Sequence, residues 1–268
     1  MLESLSPALT AGVDQAAGLR RLFGTRKAQT VAFVSGREAC GRTALLVRTA
    51  VALAETGQGV VIIDEHAGAD NVHAALGVKP RYDLLALAQG NMLIEHLVQP
   101  VAPCLSIMSA TQFAATPPQA NTAAAGRLSA ALKQLQEGCA FLLANCAVRH
   151  DQHLSPLALA MPHLVVVAAA EGSAITRAYA LIKRLSQQRG RDGFHVAITK
   201  ARTEQEAQVI FNNMRNTAHS HLNIALNYLG STRVSGGVSG DGDLAGALQS
   251  RLVPVGECND ESAFRLFS

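Results

Sequence analysis

Short apolar runs that do not alternate with polar residues constrain this chain most. Thr30–Ser35 (TVAFVS), Val60–Asp64 (VVIID), Leu105–Ser109, Phe141–Asn145, Leu164–Ala169, His195–Thr199 and Asn223–Tyr228 read as strands. A strand with one wet face alternates in hydropathy, whereas a strand buried on both faces is continuously apolar. Helical stretches separate these runs, so the pattern predicts an α/β fold with a mostly parallel central sheet and helices on both faces.

Three helices stand out. Thr43–Glu55 is apolar nearly all round, hence buried, with Gly57 as terminator. In a second, Ile175, Ala178, Tyr179, Ile182 and Leu185 share one face and Ser173 is the candidate N-cap. In a third, Ala207, Ile210, Phe211 and Met214 form the stripe, and Thr203 with Glu206 reads as a capping box.

Composition narrows the class. The 268 residues are 49% hydrophobic and 16% charged, which excludes disorder as the main state. The net charge of +3 gives no argument for nucleic acid, and the basic group Lys183, Arg184, Arg189 and Arg191 reads as complementing a helix C-terminus. The 5 cysteines include no CxxC pair and the histidines no metal-ligand spacing, so neither a disulfide framework nor a zinc site is expected. No signal peptide or membrane span is legible, so the expected compartment is the cytoplasm. Residues 1–28, with Arg20, Arg21, Arg26 and Lys27, read as an arm, residues 29–268 as one domain, and the Gly/Ser-rich stretch 230–243 as a loop.

The first strand runs into Gly36-Arg-Glu-Ala-Cys-Gly41-Arg42-Thr43 and then a helix. This is a phosphate-loop pattern with Arg in place of Lys. Such a loop wraps backbone N–H groups around phosphate, backed by the helix dipole, and Thr43 offers a hydroxyl to Mg²⁺.

With the phosphate-loop pattern, Val61-Ile62-Ile63-Asp64, Gly68-Ala69-Asp70-Asn71-Val72 and Leu76-Gly77, the chain resembles the MinD/ParA group of P-loop ATPases. Three further segments narrow this to the flagellar-number regulators FlhG/FleN. They are Asp14-Gln15-Ala16-Ala17-Gly18-Leu19-Arg20, Lys79-Pro80-Arg81-Tyr82-Asp83-Leu84 and Ser173-Ala174-Ile175-Thr176-Arg177-Ala178-Tyr179. The resemblance implies a P-loop NTPase domain, ATP or ADP with Mg²⁺ as cofactor, and a homodimer. Gly36, Gly41, Arg42, Thr43, Asp64 and Thr199 would hold nucleotide, with Thr43 and Asp64 near the metal.

The chain departs from that family where the chemistry is done. The family's loop reads KGGVGKT, against Arg37-Glu38-Ala39-Cys40-Gly41-Arg42-Thr43 here. Arg37 replaces the lysine that crosses the dimer. Glu38 brings negative charge toward phosphate, and Ala39 brings a Cβ where glycine is usual. Arg42 replaces the compact ammonium with a planar fork. His66 stands for the Asp that handles the attacking water, Asn145 for the metal-shell Asp, Arg149 for a glycine, and Thr199 for an Asn that reads adenine. Hydrolysis, which needs a placed metal, neutralised charge and an oriented water, is therefore expected to be weak or lost.

The arm motif is intact. Ala16, Leu19 and Phe23 lie on one side of a short amphipathic segment of the kind that folds against a partner. In the resembled family it docks on FlhF, a GTPase of the signal-recognition type. Asp14, Gln15, Ala16, Leu19 and Arg20 are the candidate contacts. The tail, with Pro254, Gly256 and three acidic residues, does not read as the basic amphipathic helix that carries MinD-like proteins to membranes. The expectation is a regulator of flagellar number or placement acting mainly by protein binding. Its alternatives are a slow MinD-like ATPase and a partition- or secretion-associated ParA relative.

Overall fold

The computed structural model describes residues 28–116, 122–146, 154–189, 193–233 and 244–251. The arm motif at 14–23, Arg149 and the tail lie outside the described residues. Eight strands form one sheet in the order β3-β4-β2-β5-β1-β6-β7-β8. They are β1 (Gln29–Ser35), β2 (Val60–Asp64), β3 (Gln99–Ala102), β4 (Leu105–Ser109), β5 (Phe141–Asn145), β6 (His163–Ala169), β7 (Gly193–Ala201) and β8 (Ala225–Arg233). Every pairing is parallel except β3 with β4.

Continuous apolarity does here what it must. Val31 and Phe33 of β1 point into one helical layer, Ala32 and Val34 into the other, and all four are fully buried. The first layer is built on α1 (Arg42–Glu55), whose Leu45, Leu46, Ala50 and Leu53 are buried, with α2 (Val72–Ala75) beside it. Leu244 and Leu248 of the last described helix, α10 (Leu244–Arg251), complete it. The opposite layer holds α3 (Leu84–Ala88), α4 (Ile94–Leu97), α6 (Thr122–Gly138) and α7 (Pro156–Ala160). It also holds α8 (Gly172–Arg189) and α9 (Glu204–Leu222), while α5 (Thr111–Ala115) is a single turn with no buried residue. Each fully buried Leu, Ile or Phe in these layers contributes about 1.5–3 kcal/mol.

Several expectations shift. Helix α8 begins at Gly172, so Ser173 is not its N-cap, and its hydroxyl accepts from Arg37 instead. Thr203 does cap α9, accepting from the Glu206 N–H at 3.1 Å, but the Glu206 carboxylate reaches back to the N–H of Arg202, one residue before the cap. Asn223 ends α9 with φ 53°, the left-handed conformation that asparagine tolerates, so β8 starts later than expected. β8 also continues through Gly230-Ser231-Thr232-Arg233, where the Gly/Ser-rich sequence predicts loop, because it pairs with β7 across two register shifts. β3 (QPVA) is an edge strand of alternating burial containing proline, too short and polar to announce itself.

β1 sits mid-sheet with β5 on one side and β6 on the other, while the chain after β1 leads through α1 to β2. Ligands in open α/β sheets lie beyond the carboxyl ends of strands at such a reversal. The ends of β1, β2, β5 and β7 bring together Ser35, Asp64, Asn145 and Thr199.

Candidate functional site

The loop between β1 and α1 is shaped by its own peptide planes. Gly36 lies so close to α8 that a Cβ there would fall 2.4 Å from the Arg177 carbonyl oxygen. Ala39 has φ 56° and Gly41 φ 81°, so the loop adopts the left-handed turns that glycine favours, and Ala39 does so at a steric cost. All carbonyls from Arg37 to Gly41 accept hydrogen bonds. The Ser35 hydroxyl donates to Arg37 O and the Arg37 Nε to Glu38 O. Lys200 Nζ donates to Ala39 O at 2.8 Å, the Thr199 hydroxyl to Cys40 O, and the Leu45 N–H to Gly41 O.

The backbone N–H groups of residues 37–41 take no acceptor among the described residues. Glu38, Ala39, Cys40 and Gly41 line the recess at the N-terminus of α1. This is the arrangement that binds phosphate.

Beneath the loop, Arg42 is turned inward. It is 5% exposed, with Nε donating to Asn145 Oδ1 at 2.7 Å and Nη1 to the Ser35 hydroxyl at 2.9 Å. Asn145 Nδ2 donates to Asp64 Oδ1 at 2.8 Å and to Thr43 Oγ1 at 3.2 Å. The neighbours fix this amide orientation. Arg42 can only donate and Asp64 only accept, so a flipped Asn145 would set donor against donor and acceptor against acceptor. Asp64 is fully buried and its oxygens also accept from the His66 N–H at 3.1 Å and the Val72 N–H at 2.7 Å, with His73 Nδ1 at 3.7 Å.

The other expected residues are placed as follows. Arg37 Nη1 reaches Ser173 Oγ at 3.0 Å and Glu171 Oε2 at 3.3 Å of its own chain. Glu38 is exposed on the rim of the recess. Thr199 is buried, its hydroxyl spent on Cys40 O, so it braces the loop. His66 Nε2 pairs with Asp70 Oδ1 at 2.8 Å, which holds the Asp70 carboxyl below its ordinary range.

Lys200 and Glu65 carried no motif and were missed. Lys200, at φ 57°, latches the loop from outside. Glu65 follows Asp64 on the opposite face and is fully buried, with neither oxygen in a full hydrogen bond among the described residues. Burial pushes its carboxyl up to about 7, against the approach of Ser155 and Cys146 and the Arg42 charge. Only its polarity within an apolar strand end could have flagged it.

Each part can be tested against MgATP. The loop amides suit phosphate. The recess, about 210 Å³ with its open mouth included, is lined among others by Ser35, Arg42, Thr43 and His66. The donor set does not suit Mg²⁺, which demands oxygen ligands in near-ideal octahedral geometry. The Asn145 amide turns N–H groups toward Thr43 and Asp64, and the Asp64 oxygens are already taken. Among the described residues no cluster of His, Cys, Asp or Glu could hold a metal elsewhere.

The architecture recurs in solved proteins. MinD of Aquifex aeolicus, in its complex with MinC, superposes with a TM-score of 0.60 at 18% identity, covering 78% of this chain and 82% of that one. This is the MinD/ParA fold. MinD of Pyrococcus horikoshii, solved with Mg-ADP, shares it at a TM-score of 0.56 and 17% identity, covering 77% of this chain and 82% of that one. In sequence, the chain is 24% identical over 212 residues to the antiactivator FleN of Pseudomonas aeruginosa, covering 79% of this chain and 76% of the relative. No protein-family model matches. The chain thus has the MinD/ParA fold and is similar in sequence to FleN. Among the described residues no helix is long and apolar enough to cross a membrane.

Proposed function

We propose that this chain regulates flagellar number or placement by docking on a signal-recognition-type GTPase of the FlhF kind, without an ATP-driven cycle of its own. The closed network Ser35–Arg42–Asn145–Asp64 carries this reading. It joins the loop cation to the second-strand carboxylate through the Asn145 amide and leaves no open carboxylate for the divalent cation that phosphate transfer needs. Similarity to FleN supports the regulatory role. The intact motif at Asp14, Gln15, Ala16, Leu19 and Arg20 supports docking through the arm.

The unpartnered amides of residues 37–41 favour a second reading, a slow ATPase of the same fold that dimerises around nucleotide as Arg37 leaves Glu171. The deciding experiment is capture of a purified FlhF-type GTPase by the full chain and by a chain lacking residues 1–23. Docking through the arm predicts capture by the first and loss with the second, independent of nucleotide. Equal capture by both, or capture only with MgATP, overturns it.

A further inference from the structure

We propose that the recess under the 36–41 loop binds a phosphate-bearing anion without a divalent cation, the Arg42 guanidinium and the Asn145 amide standing where a metal would. The inference concerns this recess as a phosphate cradle and does not depend on the arm or its partner.

Two independent observations point to a ligand. The first is the set of amides on residues 37–41, which take no acceptor among the described residues while the carbonyls of the same residues are all held by the chain itself. The second is Arg42. It is nine-tenths buried and lines the recess, and it spends Nε on Asn145 and Nη1 on Ser35. Its Nη2 carries two donors that no described residue takes. A buried guanidinium with donors to spare, under a ring of free amides, is built to accept oxygen anions.

The same geometry excludes the cation. A divalent ion at this place must touch the Thr43 hydroxyl and share the field of Asp64. Asn145 Nδ2 sits between them, 3.2 Å from the one and 2.8 Å from the other, with its hydrogens toward both. The permanent charge of Arg42 lies one hydrogen bond further on. A metal there would meet an amide N–H₂ and a fixed cation instead of a carboxylate. The anion's charge is instead balanced from within, by a guanidinium built into the fold.

The test is calorimetry on the full chain with ATP, ADP and pyrophosphate, each in excess Mg²⁺ and again in EDTA. The expected result is saturable binding whose affinity differs less than about threefold between the two conditions. Pyrophosphate binding as tightly as ATP assigns the site to bare phosphate groups; preference for ATP and ADP assigns it to nucleotide. Either supports the proposal. Binding strengthened about tenfold or more by Mg²⁺, or no binding of any of the three, overturns it.

Arg42→Gln should weaken binding by about tenfold or more in EDTA. Since that variant can fail to fold, Asn145→Asp is the second probe. It keeps the shape, restores a carboxylate beside Thr43, and should make binding at least about fivefold tighter in Mg²⁺ than in EDTA. Asn145→Asp that remains indifferent to Mg²⁺ contradicts the role given to the amide. Loss of GTPase docking with metal-free binding intact would remove the proposed function and leave this inference standing.

Discussion

Arg42 donates through Nε to Asn145 Oδ1 at 2.7 Å, and both side chains are buried. Arginine and asparagine here form one unit. The neutral amide accepts from the cation on one side and donates to Asp64 on the other, linking a buried positive and a buried negative group without direct contact.

That unit should be expensive to break. Asn145→Ala leaves Arg42 Nε and Asp64 Oδ1 without their shared partner in a dry place, and should cost about 3 kcal/mol. Urea unfolding should show a lower midpoint with an unchanged slope. A loss under about 0.5 kcal/mol would mean that water replaces the amide.

Asp83 is a second hub, remote from the loop. Its Oδ2 accepts from Ser109 Oγ at 2.8 Å and the Gln112 N–H at 3.1 Å, and its Oδ1 from the Leu85 and Phe113 N–H groups at 3.0 Å. One carboxylate thus caps α3 and the turn α5 while tying both to the end of β4. Asp83→Ala should destabilise by about 2–4 kcal/mol, and Asp83→Asn by less because one oxygen acceptor survives. Thermal unfolding of the two variants checks the order.

Gly36 is needed for closeness to α8 and not for a special dihedral. Gly36→Ala places a Cβ 2.4 Å from backbone oxygen of Arg177, which cannot rotate away. The loop or α8 must shift, at a cost of about 2 kcal/mol or more. Gly41→Ala meets only ordinary contacts but keeps φ 81°, and should cost about 1 kcal/mol. The reverse order in melting temperature would contradict this packing.

Glu65 makes stability depend on pH. Its carboxyl is raised from 4.5 to about 7 by burial, so the folded state holds the proton that the unfolded chain releases. Its contribution is complete below pH 4.5 and is lost as pH rises through about 7, amounting to about 3 kcal/mol in all. The difference in unfolding free energy between the native chain and Glu65→Gln should therefore move in favour of Glu65→Gln from pH 5 to pH 8. A difference independent of pH would show that Glu65 is ionised throughout.

Much of the fold was legible because buried parallel strands leave a plain signature. β2, β4 and β5 have the bounds their apolar runs imply, while β3, α4 and α5 are too short for any period to show. The loop was legible from Gly36, Gly41 and Thr43. The direction of the Arg42 side chain was not, since a spacing says that a cation follows Gly41 and nothing about where its head goes. That depends on Asn145, 103 residues away in sequence, and on Ser35, whose hydroxyl accepts from it. Asn145 was noticed as a lost carboxylate, but its gain, the bond to Arg42, exists only once β1 and β5 are paired.

Whether this site consumes ATP separates docking without a cycle from a slow ATPase. The direct measurement is steady-state phosphate release by the full chain with MgATP, alone and with an FlhF-type GTPase held free of GTP, beside an Arg42→Ala variant shown by circular dichroism to be folded. Docking without an ATP-driven cycle predicts release at the same background rate for both chains, with and without that GTPase. Saturable, Mg²⁺-dependent release that disappears in Arg42→Ala would contradict it.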